Sequence, residues 1–380
     1  MSDFLLDLRR SLAHKGFAKI LDISAGMPAV FANPYASRSQ HISSQKIAQL
    51  RFNVCCVSGE KKIVSQTVQG NISKDIISGI AIIGLIFTAS TYLPIIGFFF
   101  SLFIPLPILF YRSKLGRTTG IIVYILSIII MIVMTGSISL DIFFFAELLL
   151  LGFVLSELFE MRLSIDKTIS YACASVLITG IVILVFYSNL SNAGIYTLAS
   201  EYISRNLELT MAMYESLGVP EESIHVISNS MEKIHYVLIR IIPAMLISLT
   251  LFVSWTSLLI AKPLLKAKNI FFPDFDSLKL WKAPEFMVWL FIGCGVMLIL
   301  PDNSFKILGL NGLIILLTIY FFQGIAIVSF YFEKKNVPRI FRIFLYSVLA
   351  LQQLVLLSVI GLGFFDMWIN FRKLGIKKES

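Results

Sequence analysis

Residues Ile76–Phe110 read IISGIAIIGLIFTASTYLPIIGFFFSLFIPLPILF and contain no charged side chain. A membrane-spanning helix needs about 20 consecutive apolar residues, so this stretch suffices for two crossings with a turn near Tyr92-Leu93-Pro94. Similar apolar stretches, separated by short basic loops, continue to the C-terminal part of the chain. The sequence therefore predicts an all-α fold, a polytopic transmembrane helical bundle.

The pattern predicts nine spans within a transmembrane domain over residues 75–373. The first and the seventh are short, so eight full crossings are an alternative, with a short segment tilted, re-entrant or interfacial. The predicted spans are Ile76–Tyr92, Pro94–Phe110, Gly120–Thr135, Leu140–Phe159, Ile169–Tyr187, Val237–Ala261, Phe286–Leu300, Leu308–Phe332 and Phe341–Gly363.

The composition supports the same class. The 380-residue chain is 57% hydrophobic and 14% charged, whereas soluble domains carry about 25% charged residues. The net charge of +9 comes from basic residues beside the apolar stretches, where they orient spans and contact anionic head groups. We therefore expect the lipid bilayer as a partner and no nucleic acid.

The cysteines and histidines form no recognisable ligand pattern. Cys55 and Cys56 are adjacent, Cys173 and Cys294 lie in apolar stretches, and the sequence has no HExxH motif. We expect no disulfide framework, no metal site and no cofactor. GxGxxG, GxxxxGK[ST] and GxSxG signatures are also missing, so the sequence predicts a protein that is not an enzyme.

Basic loops predict the orientation, because loops rich in Lys and Arg stay in the cytoplasm. Basic residues follow the second, fourth, sixth and eighth spans, which places these loops and the N-terminus in the cytoplasm. The tail, with Arg372 and Lys373, is also basic, yet a ninth span would place it outside. Either the last segment folds back at Gly361 and Gly363, or the rule fails locally.

Three segments flank or interrupt the apolar spans. Residues 1–74 form a polar, basic extension, for which a disordered segment and a start-site artefact are the open interpretations; Asp7 and Lys15 argue against a signal peptide. Residues 188–236 predict a helical hairpin on the outer surface, with a break at Gly218, that either packs as a cap or gates a cavity. Residues 374–380 form a basic tail.

Three polar residues within the spans are candidate substrate-binding residues. A charge at membrane depth costs about 2.5–3.5 kcal/mol and usually faces the bundle interior. Glu147 lies about two turns inside the fourth span, and Arg240 enters the sixth span from the same side, so the two are candidates for an ion pair. Gln323 lies in the eighth span, where an interhelical hydrogen bond or a ligand contact would explain it.

Two motifs carry a resemblance to a known family. The first, PLPILFYRSKLG, holds Pro105, Pro107, Arg112 and Gly116. The second, GLGFFDMWINFRK, holds Asp366, Trp368, Asn370 and Arg372. With the order of spans and the helical insertion, these motifs resemble the YybS-like family of bacterial polytopic membrane proteins. The resemblance covers about residues 75–373 and implies a bacterial inner-membrane location.

A more distant similarity is to the substrate-binding S-components of energy-coupling-factor transporters, which also have a proline-rich helix end before a basic loop. Those proteins dock a coupling subunit through small residues of the first helix. Here Ser78, Gly79, Ala81 and Gly84 are small but follow a different spacing.

The leading hypothesis is a transporter-like protein that binds or moves a small solute. The alternative is a non-catalytic scaffold or accessory subunit that binds another membrane protein of the envelope. A polar cavity that reaches Glu147 would favour the first, and a solid core with Glu147 fully paired, together with an apolar outer patch, would favour the second.

Overall fold

The computed structural model describes residues 72–93, 96–136, 139–275 and 278–372. Within these ranges the regular structure is helical, with a short 3-10 turn at Leu278–Leu280 and no strand. The all-α fold class is therefore confirmed. Residues 1–71 and the basic tail lie outside the described residues.

Thirteen α-helices follow one another in the described ranges. They are α1 (Ile72–Tyr92), α2 (Ile96–Ser101), α3 (Pro105–Leu115), α4 (Arg117–Thr135), α5 (Leu140–Glu160), α6 (Ile165–Ser191), α7 (Ile195–Ser216), α8 (Glu221–Asn229), α9 (Met231–Ala267), α10 (Phe286–Ile299), α11 (Asn303–Lys334), α12 (Arg339–Leu351) and α13 (Gln353–Ile369).

Seven helical segments of the described chain are long and apolar enough to cross a membrane: α1, α2 with α3, α4, α5, α6, α9 and α11. The number is eight if the α12–α13 pair is one bent span. The first predicted span is not short, since α1 has 21 residues. The seventh is short: α10 has only 14 residues, or about 21 Å. The alternative of eight crossings, predicted from the sequence, agrees with the larger of the two numbers of candidate spans, eight.

Helix α5 is the central helix of the bundle. In the most apolar 18 residues of α5, 61% are buried inside the bundle, whereas the corresponding share is 22% in α4 and in α6. It packs closely on α3, because Gly152 has no side chain and lets the carbonyl of Pro105 approach its backbone. Glu147, near the middle of α5, is flanked by the buried residues Ala146 and Leu148 and is itself partly buried in the bundle.

Polar contacts define two ends of the bundle. At the first, which we call the basic end, Arg112 of α3 binds Glu157 and Glu160 of α5, and the indole of Trp281 donates to Asp166. Arg112, Asp166 and Trp281 lie at or in loops that the sequence predicts to be cytoplasmic, and Glu157 and Glu160 lie at the end of α5 that leads into one of them.

The other end, which we call the hairpin end, carries α7 and α8. Gly218 has φ +71° and follows α7, and α8 begins after Pro220, which leads the chain into the first turn. The insertion is helical, and the polar helix α7 is not among the segments apolar enough to span a membrane. A break at Ser230 separates α8 from α9.

The chain enters and leaves the α12–α13 pair at the basic end. The two helices are bent by 101°. Before the pair, Lys279 binds Glu333 near the end of α11. After it, Arg372 donates to the carbonyl oxygens of Lys279 and Trp281. The pair thus folds back, and Arg372 lies at the same end as the basic loops.

The position of the fold-back differs from the prediction. The chain bends at Gln352, which has extended backbone angles, and not at Gly361 and Gly363. Both glycines lie within α13, and Gly363 packs against the backbone of Tyr320. A glycine in an apolar helix serves such close packing as readily as a bend.

Candidate functional site

A cavity of about 250 Å³ lies between α5, α6 and α9 and reaches Glu147. Its lining is mainly apolar, and Glu147 is the one acidic or basic residue among the described residues that line it. The lining residues are Leu140, Phe143, Phe144, Glu147, Leu148, Leu151, Val176, Leu177, Gly180, Ile181, Ile183, Leu184, Tyr187, Leu246, Leu249 and Thr250.

The carboxylate of Glu147 has a hydroxyl partner from the next helix. Thr179 Oγ1 donates to Glu147 Oε2 at 3.0 Å and also lies 2.9 Å from the carbonyl oxygens of Ser175 and Val176. One hydroxyl proton is shared among these three acceptors, so Thr179 satisfies the carboxylate only in part. None of the described ion pairs includes Glu147, so no protein cation pairs with this carboxyl group among the described residues.

Gly180 leaves open space beside this carboxylate. A Cβ atom placed at Gly180 would have one neighbour within 4 Å, the Cδ of Glu147 at 3.9 Å. Because α6 has no side chain at this position, the carboxyl group of Glu147 borders the open space of the cavity.

Arg240 lies elsewhere and does not form the predicted ion pair with Glu147. Its guanidinium lies 3.5 Å from the centroid of the Tyr236 ring and donates to the Tyr236 carbonyl at 3.0 Å. It lines a separate cavity between α9 and α11. Local contacts within one helical turn hold the side chain away from α5.

A second, more polar cavity of about 540 Å³ lies at the hairpin end, between α7 and the start of α5. It shares Leu140 and Tyr187 with the Glu147 cavity. Charged groups of this vestibule are Asp141, Glu201 and Arg205. The vestibule therefore lies next to the apolar cavity on the side that the hairpin covers.

Tyr202 connects the hairpin to the bundle. Its hydroxyl donates to Asp141 Oδ1 at 2.9 Å. Burial, with a smaller contribution from Asp141, raises the pKa of Tyr202 to about 12. The phenol therefore keeps its proton at neutral pH and remains a hydrogen-bond donor.

Gln323 belongs to a buried cluster at the C-terminal motif and does not line the Glu147 cavity. Its amide accepts from the backbone N–H of Ala283 at 3.2 Å and donates to Asp366 at 3.3 Å. Asp366 also pairs with Arg372 at 2.7 Å, and both side chains are almost fully buried. These contacts attach the α12–α13 pair to the loop before α10.

The other motif residues lie close to this cluster or at the basic end. Trp368 makes an edge-on contact with the Phe364 ring and is half-exposed, and Asn370 ends α13 in a left-handed conformation. Pro105 starts α3, and Pro107 is buried beside it.

The remaining motif residues join α3 to its neighbours. Arg112 is 2% exposed and contacts two carboxylates and the Ser156 carbonyl. Gly116 connects α3 to α4 with φ +90°, a conformation that favours glycine. The motifs thus stabilise helix contacts in this structure.

Thr179, Gly180 and the Tyr202–Asp141 contact were not predicted from the sequence. A threonine and a glycine in an apolar helix are common, and only the packing of α6 on α5 distinguishes these two. For Tyr202, the helical period of α7 indicates which residues face the bundle but not their partners.

The fold and the cavity define a polytopic helical membrane protein with a charged residue in a mainly apolar interior cavity. The chain belongs to the family described as "Predicted membrane protein (DUF2232)", whose profile matches residues 81–367. It is similar to "Uncharacterized protein YybS" of Bacillus subtilis (strain 168), with 24% identity over 306 residues, which are 77% of this chain and 94% of the relative. The predicted family resemblance is confirmed. No solved structure matches the chain.

Proposed function

We propose that this protein is a non-catalytic, transporter-like membrane protein that binds or moves a small solute through the Glu147 cavity. The observation that supports the proposal is a cavity of about 250 Å³ that reaches a carboxylate with no cation partner among the described residues. A charge inside a membrane protein is costly, and it marks a ligand or ion pathway by default.

The lining indicates the chemistry of the solute. Ligand sites are mostly apolar, with a few polar groups that fix orientation, and this cavity follows that pattern. A solute with an apolar body and one hydrogen-bond donor or cationic group fits a lining that combines Phe143, Leu177 and Leu246 with Glu147. A donor from the solute would complete the hydrogen bonding of the carboxylate that Thr179 satisfies only in part.

The hairpin end is the proposed entrance. The polar vestibule adjoins the cavity at Leu140 and Tyr187, and α7 covers it through the Tyr202–Asp141 hydrogen bond. In this proposal the basic end faces the cytoplasm of a bacterium, the membrane is the inner membrane, and the N-terminus is cytoplasmic. The basic loops and the bacterial relative support that orientation and location.

The test is a thermal-shift screen of the purified chain with amphiphilic amines, vitamins, nucleobases, amino acids and lipid head groups. A solute that binds the folded state raises its stability, by about 2.7 kcal/mol at a hundredfold excess over Kd. We expect at least one compound to stabilise the wild type and to lose its effect in Glu147→Gln.

The matched control is Glu215→Gln, which removes an exposed carboxylate on α7. This variant should retain the full shift. A panel without any hit, together with a Glu147→Gln variant that changes only the stability, would contradict solute binding and favour the scaffold alternative.

A further inference from the structure

A cleft at the hairpin end combines two cations with an apolar floor. It lies between α9, α11 and the end of α10 and has a volume of about 270 Å³. Arg240 and Lys306 are the charged side chains of its lining. The other lining residues are Tyr236, Val237, Ile241, Leu298, Asn303, Ile307 and Leu310.

Neither cation has a carboxylate partner among the described ion pairs. Arg240 donates one described hydrogen bond, to the carbonyl of Tyr236 in its own helix, and a guanidinium has five N–H donors. Lys306 is exposed. The carboxylate of Asp302, one turn earlier, accepts from the backbone N–H of Ser304 at 2.9 Å as the N-cap of α11. The cleft is therefore positively charged.

The arginine is held in place before any ligand arrives. Its guanidinium lies on the Tyr236 ring, and Asn311 of α11 donates to the Arg240 carbonyl at 3.1 Å and to the Ile307 carbonyl at 2.8 Å. The Asn311 amide thus joins α9 to α11 directly beside the cleft. A fixed guanidinium suits a phosphate, whose oxygens accept two parallel N–H bonds from it.

The position in the bundle indicates the source of the phosphate. Lys306 lies near the start of α11 and Arg240 in the first part of α9, two helices long and apolar enough to span a membrane, and Val237 and Leu298 beside them are exposed apolar residues. Long cationic side chains near the ends of membrane-spanning helices extend to the interface, and a guanidinium binds a phosphate through two parallel hydrogen bonds. We propose that this cleft binds the phosphate of an anionic phospholipid through Arg240 and Lys306, with the start of an acyl chain on the apolar floor.

The experiment uses the full chain in nanodiscs that contain equal amounts of phosphatidylglycerol and phosphatidylcholine. Native mass spectrometry of the released protein measures which lipid is retained. We expect the wild type to retain phosphatidylglycerol preferentially. Lys306→Gln should weaken that preference about fivefold, the contribution of one cation near an anionic surface, and adding Arg240→Gln should abolish it.

The control is Lys233→Gln, which removes an exposed cation from the first turn of α9 outside the cleft lining. It should retain the wild-type preference. Because Lys306 is exposed, its variant also tests the site if Arg240→Gln fails to fold.

Three results would overturn the proposal. They are an unchanged preference in Lys306→Gln, an equal loss in Lys233→Gln, and displacement of the lipid by millimolar inorganic phosphate, which would assign the cleft to a free anion. The outcome is independent of the Glu147 cavity, since a different set of residues lines it.

Discussion

Replacing Arg372 by glutamine is expected to destabilise the attachment of the α12–α13 pair. The change removes the cation beside Asp366, whose side chain is 1% exposed and lies 2.7 Å from the guanidinium. It also removes the hydrogen bonds to the Lys279 and Trp281 carbonyls. A carboxylate would remain buried at the basic end of the bundle.

The expected loss of stability depends on the hydrogen-bond partners that Asp366 retains in the variant. Removing one member of a buried ion pair costs about 3–5 kcal/mol. Asp366 retains the amide of Gln323 and the backbone N–H of Phe371, so we expect the lower limit of that range, about 3 kcal/mol. The double variant Asp366→Asn with Arg372→Gln removes both charges and should cost about 2 kcal/mol, for the two lost hydrogen bonds to the Lys279 and Trp281 carbonyls at about 1 kcal/mol each.

Hydrogen–deuterium exchange of the α13 amides measures this effect, because exchange reports the free energy of local opening. Protection should fall strongly in Arg372→Gln, recover in part in the double variant, and stay unchanged in the control Lys335→Gln, which alters an exposed cation at the same end. Wild-type protection in Arg372→Gln, or a double variant as unprotected as the single one, would refute the reasoning.

Two further predictions concern helix packing and the hairpin. Gly152→Ala should lower the free energy of unfolding by about 1–3 kcal/mol, because the added Cβ would overlap the Pro105 carbonyl. Chemical unfolding measures this loss, with Gly84→Ala as the control because nothing lies within 4 Å of a Cβ at that position. Equal stability of the two variants would contradict the prediction. Tyr202→Phe should release α7 from Asp141 and raise the labelling rate of a cysteine placed at Leu198 several-fold. The control is Tyr196→Phe, which alters an exposed tyrosine of the same helix. An unchanged labelling rate would show that this hydrogen bond does not hold α7 on the bundle.

The helical class and most spans could be predicted because the bilayer leaves few alternatives. In Ile76–Phe110, length and apolarity alone require two crossings, and the structure has α1 and the α2–α3 pair there. The bend at Gln352 could not be predicted, because helix-packing and helix-bending glycines look alike in sequence. Gly363 does not bend the chain but allows α13 to pack closely on the backbone of α11.

The candidate site was predictable only in part. A carboxylate in the stretch FFFAELLLL identifies Glu147, because such a charge is costly. Its partner was not predictable, since Arg240 interacts with Tyr236 one turn away in its own helix in preference to an ion pair across the bundle. The cavity depends on Gly180, whose open side the sequence does not reveal.

The most direct test of solute binding fills the cavity from Gly180. Gly180→Leu adds a side chain where the structure has space, next to Glu147, and the matched control Gly84→Leu adds the same side chain on α1, where nothing lies within 4 Å. Binding of the best compound from the thermal-shift screen is then measured by titration. If the solute binds in this cavity, Gly180→Leu remains folded and loses at least tenfold in affinity, whereas Gly84→Leu binds like the wild type. Unchanged affinity in a folded Gly180→Leu protein would contradict binding in this cavity.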